Sequence, residues 1–242
     1  MRMFRVLAAA WSLPLCAMAQ QTEERWDGSI RQWGTMQEVL KAGRTEARVD
    51  IRKVAEPNGA VGIGALEGLR GEVTFVDGRV WLAAHAKGSK GELPASVHDS
   101  ATLLTVAYVP NWVRISISEE VLPHDFDGFL REAARKAGVD IRRPFPFVVE
   151  GRMSVEAHVI RGQCAHAGAG ATEPAIPPDR FSRAHAQATL VGFYAGGAEG
   201  ALTHHGSATH VHVVIHGEPP LSGHVDSVTI VAGAVLRLPA GN

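Results

Sequence analysis

"ATHVHVVIHGEPPLSGHVDSV", residues 208–228, reads as two strands joined by a turn. Val211, Val213 and Val214 are β-branched, and such side chains suit a pleated, half-buried surface. "HGEPPLSG", with Pro219-Pro220 and Gly223, interrupts the run, and a returning strand starts at His224. Residues i and i+2 of a strand point to the same face, so His210 and His212 stand side by side. A hairpin would bring His224 to them as a third imidazole. Three histidines with an open position are the pattern of catalytic zinc, whereas structural sites usually close with four ligands. The competing reading is a histidine-rich surface or satisfied core histidines. His216 shares the face of His210 and His212 if the strand continues, and would then support a ligand. His204-His205 reads as a surface loop.

Working outward, the chain is mostly β. "GEVTFVDGRVWLAA", residues 71–84, carries Asp77-Gly78 between two β-rich runs, which suits a type I′ hairpin. Residues 101–118 hold two strand-like runs with Pro110-Asn111 between them. "FPFVVEG", "MSVEAHVI", "ATLVGFYA", "THVHVVIHG" and "HVDSVTIVAGAVLRL" are further strand candidates. Residues 168–180 form a long loop rich in proline and glycine. Two helices stand out. Thr35 and Glu38 form a capping box before Met36, Val39 and Leu40, and Gly43 follows as a stop. Residues 125–140 place Phe126, Phe129, Leu130, Ala133 and Ala137 on one stripe, with Gly138 at the stop position. The class is α+β, dominated by mixed or antiparallel sheet.

The bulk numbers narrow the partners. The chain has 242 residues, 45% of them hydrophobic, and a net charge of −1. No basic footprint for nucleic acid is present. Arg2 and Arg5, the apolar run Val6 to Cys16, and Ala17-Met18-Ala19 together read as a secretory signal, with Gln20 as the mature start. The expected location is therefore periplasmic or secreted. Cleavage removes two arginines and no acid, so the net charge falls from −1 to −3. It also leaves Cys164 alone, which excludes an intramolecular disulfide. No later apolar run reaches the roughly 20 residues of a membrane span. A homodimer is compatible with the sequence.

Three blocks resemble a family. "GIGALEGLRGEVTFVDGRVW" (62–81), "LVGFYAGGAEG" (190–200) and "HVHVVIHGEPPLSGHVDSV" (210–228) are similar, in order and spacing, to α-acetolactate decarboxylase. The resemblance runs from about residue 25 to 235. It implies two packed subdomains, roughly 20–145 and 146–242, with mixed, mostly antiparallel sheets, few helices and a metal site between them. It implies a zinc-dependent carboxy-lyase that converts 2-acetolactate, a 2-hydroxy-3-keto acid, to acetoin and carbon dioxide. His210, His212 and His224 take the places of the metal ligands, and Glu72 that of the family glutamate.

The chain also departs from the family pattern. Ala65 stands where the family has threonine, and Arg70 where it has aspartate. The catalytic arginine aligns with Val159. Arg161 lies two residues on, one step along the same strand face, and is the candidate to hold the substrate carboxylate. The C-terminal glutamate has no counterpart in "VLRLPAGN". Two other readings stay open: a metal enzyme acting on another 2-hydroxy or 2-keto acid, and a non-catalytic metal- or ligand-binding protein on the same scaffold.

Overall fold

A computed structural model describes residues 24–40, 42–84, 99–162, 176–198, 202–203 and 206–241. The signal-like segment, both cysteines, His204-His205 and most of the 168–180 loop lie outside the described residues. The elements of the first half are β1 (Ile30–Trp33), α1 (Met36–Leu40), β2 (Val49–Asp50), α2 (Ile51–Ala55), β3 (Ala60–Leu66), β4 (Gly71–Val76), β5 (Arg79–Ala84) and β6 (Ser100–Tyr108). The second half follows with β7 (Trp112–Ser116), α3 (Phe126–Lys136), β8 (Phe145–Val159), β9 (Asp179–Tyr194), β10 (Thr209–Ile215), β11 (Leu221–Ile230) and β12 (Val235–Pro239). Among the described residues no helix is long and apolar enough to cross a membrane.

Local chemistry accounts for the element ends. The capping box forms: the Glu38 N–H donates to Thr35 Oγ1 at 3.1 Å and the Thr35 N–H donates back to Glu38 Oε2 at 3.0 Å. The β4–β5 turn has positive φ at both Asp77 (51°) and Gly78 (74°), as a type I′ hairpin requires. Gly138 ends α3 at φ 80°.

Two antiparallel sheets result. The first runs β1-β6-β3-β4-β5, with β2 also on β6; the second runs β11-β10-β9-β8-β12-β7. In the second, β11 pairs with β8 as well as β10, so β8, β9, β10 and β11 close into a ring. The two strands around Pro110-Asn111 do not pair with each other. β6 pairs with β1 and β3, whereas β7 pairs with β12. The division between the sheets thus falls between Tyr108 and Trp112, earlier than residue 145.

The predicted strands 145–151 and 153–160 are one strand, β8. Gly151 and Arg152 do not turn, because Ala188 and Gln187 of β9 pair with them. β9 itself starts nine residues before the predicted "ATLVGFYA". Its first half is exposed and polar, so no apolar alternation marked it.

The period-two pattern divides the side chains between cores. On β4, Val73 and Phe75 join Leu82, Leu104, Val106 and the apolar face of α2 behind the first sheet. Their neighbours Glu72 and Thr74 point the other way, toward the second sheet. The main core lies between the sheets and α3, around Ile63, Leu130, Phe145, Phe147, Leu190 and Phe193. A small third cluster holds Met36, Val39, Ala65, Leu69 and Leu103, with Ile160 against it. That cluster walls the site.

Candidate metal centre

The β10–β11 hairpin sets His212 directly opposite His224. Next along, His224 faces His158 of β8. Direct antiparallel partners share a face. A row of three imidazoles therefore crosses three strands, and His210, two residues before His212, joins it. One nitrogen from each of His210, His212 and His224 falls within 4.8 Å of the others. Their ring centroids lie 5.1–5.5 Å apart. Gly223 makes this approach possible. A Cβ there would meet the His158 carbonyl oxygen at 2.6 Å.

The first sheet supplies the opposite wall. Thr74 Oγ1 lies 3.0 Å from His212 Nδ1, and Ser222 Oγ donates to Thr74 Oγ1 at 3.3 Å. With Nδ1 engaged there, Nε2 is the nitrogen of His212 turned toward Glu72, 3.6 Å from Oε2. Such a hydrogen bond on the remote nitrogen is how proteins fix the tautomer of a metal-binding histidine. Glu72 is 4% exposed, and the Ile160 N–H reaches its Oε1 at 3.4 Å. Burial pushes its carboxyl up to about 8, against a smaller opposing effect of that N–H.

A cavity of about 100 Å³ opens beside these groups. Its apolar wall includes Met36, Val39, Leu69, Leu103 and Ile160; its polar groups are Glu72, His158, His210 and His224. Three neutral imidazoles with a fourth side open to a cavity suit one divalent ion of the zinc type. The donor set of this chain fits such an ion.

Residues 30–238 match the family described as alpha-acetolactate decarboxylase. The chain belongs to that family. The structure is similar to alpha-acetolactate decarboxylase from Bacillus subtilis strain 168, with 17% identity, a TM-score of 0.68, and 87% of this chain and 85% of that chain covered. Acetolactate decarboxylase from Bacillus subtilis subspecies spizizenii gives 17% identity, a TM-score of 0.67 and coverage of 87% and 85%. A Staphylococcus aureus protein of unknown function, similar to alpha-acetolactate decarboxylase, gives 16% identity, a TM-score of 0.64 and coverage of 86% and 84%. These likenesses show a shared fold. No curated protein matches the sequence.

Within this family fold the residues named from the sequence part company. Glu72, His210, His212 and His224 come together, and Ala65 lines the cavity beside Glu72, its direct cross-strand partner. Arg161 does not join them. Its guanidinium pairs with Asp179 at 3.0 Å and the side chain is 38% exposed. The reason is the parity of β8. His158 and Ile160 line the cavity, so Val159 between them falls on the other face, and Arg161 lies past the end of β8. Among the described residues no arginine or lysine lines the cavity. Arg70 is exposed and bonds to the Glu67 carbonyl. His216 lies beyond the end of β10, where its Nε2 meets Thr189 Oγ1 at 2.9 Å, so it supports no ligand. The C-terminal strand is used elsewhere: Arg237 clasps Asp77 and Glu150.

Two site residues were missed from the sequence. Thr74 was within reach, being two residues from Glu72 on the same strand. His158 was not, because only the β8–β11 register reveals it. Its Nδ1 lies 2.8 Å from Asp226 Oδ1, and Arg180 holds the other carboxylate oxygen at 2.7 Å.

Proposed function

We propose that the protein is an exported, zinc-dependent carboxy-lyase that converts 2-acetolactate to acetoin and carbon dioxide. The observation that carries this reading is the buried carboxyl of Glu72 set 3.6 Å from His212 at the three-histidine cluster. Loss of carbon dioxide leaves an electron pair that the neighbouring carbonyl takes up, and the carbon must then receive a proton. When bound, a divalent ion supplies a Lewis acid for the keto and hydroxyl oxygens. Glu72 supplies the proton; in the metal-free protein burial raises its carboxyl to about 8. The wall of Met36, Val39, Leu69, Leu103 and Ile160 keeps water from the carbanionic carbon. Export rests on Arg2, Arg5, the apolar run to Cys16 and Ala17-Met18-Ala19.

A second reading keeps the metal and changes the substrate to another 2-hydroxy or 2-keto acid. The observation that favours it is that, among the described residues, His158 and no guanidinium faces the cavity. Acetoin formation from racemic acetolactate, with metal analysis of the same sample, separates the two. Acetoin release by zinc-loaded protein supports the first. Zinc-loaded protein that releases no carbon dioxide moves the assignment to the second. Protein that takes up no metal removes both.

A further inference from the structure

We propose that His158 is a substrate-binding residue of this chain, whose Nε2 accepts a hydrogen bond from a hydroxyl next to the substrate carboxylate, and so selects 2-hydroxy acids. The inference rests on the metal-dependent reading above and adds to it a group that recognises the substrate.

The argument starts from the backbone. His158 is the direct partner of His224 across β8 and β11, and their ring centroids lie 4.9 Å apart. His158 lines the same cavity as Glu72, His210 and His224. It does not belong to the group of nitrogens gathered within 4.8 Å, so it stands beside the ion site rather than in it. A molecule bound at the open side of the three-histidine cluster would meet it.

Its partners set what it can offer. Asp226 Oδ1 lies 2.8 Å from Nδ1, and a carboxylate can only accept, so Nδ1 carries a proton. Arg180 takes the other oxygen of Asp226 at 2.7 Å. The neutral ring with its proton on Nδ1 has a lone pair on Nε2. That nitrogen is an acceptor, which a hydroxyl satisfies and a carboxylate does not. Among the described residues the wall of Met36, Val39, Leu69, Leu103 and Ile160 is apolar and offers a hydroxyl no acceptor. Arg180 and Asp226 are positioning residues in this scheme, and His158 is the group that touches the ligand.

Lactate and propionate differ only in that hydroxyl, and they serve as probes. The full mature protein is loaded with cobalt(II), and each acid is titrated while the visible spectrum of the metal is followed. Metal content and melting temperature are measured for every variant. In His158→Phe, lactate should bind about three- to tenfold more weakly, the worth of one hydrogen bond. Propionate affinity and metal content should be unchanged. Asp226→Asn should show the same selective loss, because an amide can donate to Nδ1 and shift the ring proton to Nε2. Equal weakening of both acids would mean that His158 binds the carboxylate, which overturns the proposal. Loss of metal from a His158→Phe protein of unaltered melting temperature would make His158 a ligand, which also overturns it. Unchanged lactate binding in both variants overturns it while leaving the carboxy-lyase assignment intact. A wild-type protein that takes up no ion overturns both.

Discussion

His224 and His158 are direct cross-strand partners, one a member of the three-histidine cluster and the other paired with Asp226. The pair joins β11 to β8, the contact that closes the ring of strands. The backbone ladder that completes the fold therefore also sets the width of the site.

His212 is the most deeply placed of the three, with no exposed surface. Its change to alanine should abolish stoichiometric zinc, because an open site cannot readily lose one of three protein ligands. Wild-type protein with zinc at a hundred times its dissociation constant should gain about 2.7 kcal/mol of stability. The His212→Ala variant should show no such gain in a thermal shift with and without zinc. An equal shift in both proteins would place the ion elsewhere.

Glu72→Gln should retain zinc and lose turnover by about 10²- to 10⁴-fold, since a carboxamide cannot deliver the proton. Metal analysis beside a single-turnover assay checks this. An unaltered rate would assign the proton to another group.

The same residue sets a pH dependence in the metal-free protein. The folded carboxyl titrates at about 8, whereas an unfolded glutamate does so at about 4.3. Between these values the folded state holds a proton that the unfolded state has released. Stability is therefore fullest below the lower value and is lost as pH rises through the upper one. The melting temperature of chelated wild-type protein should fall across that window. Glu72→Gln should flatten the fall, and parallel curves for the two proteins would contradict the assignment.

Gly223 has little room for a side chain. An added Cβ would sit 2.6 Å from the His158 carbonyl oxygen and 3.0 Å from the Phe181 ring. Gly223→Ala should push β11 from β8, at a cost of about 1–3 kcal/mol for the overpacked contact. Zinc should bind more weakly in the same variant, because His224 moves with its strand. Urea unfolding and a zinc titration measure the two effects separately. Loss of stability without loss of affinity would uncouple the ladder from the site.

Arg161→Ala should leave the Michaelis constant unaltered. Its partner Asp179 is a surface ion pair, and such pairs are worth about 1 kcal/mol or less. A raised constant would return the carboxylate to Arg161.

Several features follow from sequence alone, because they depend on local chemistry. Asp77-Gly78 fixes its turn through backbone conformation, and Thr35 and Glu38 fix the start of α1 through their own hydrogen bonds. His210 and His212 share a face through the period of a strand, and the short returning hairpin adds His224. Other features required the assembled sheets. Whether Val159 or His158 faces the site depends on which parity of β8 points inward. That parity is settled by pairing with β9 and β11, across long sequence separations. The separation of β6 from β7 into different sheets has the same origin. So does the raised pKa of Glu72, which needs walls brought from α1, β6 and the end of β8. Local periodicity places two side chains on one face; only tertiary packing decides what that face meets.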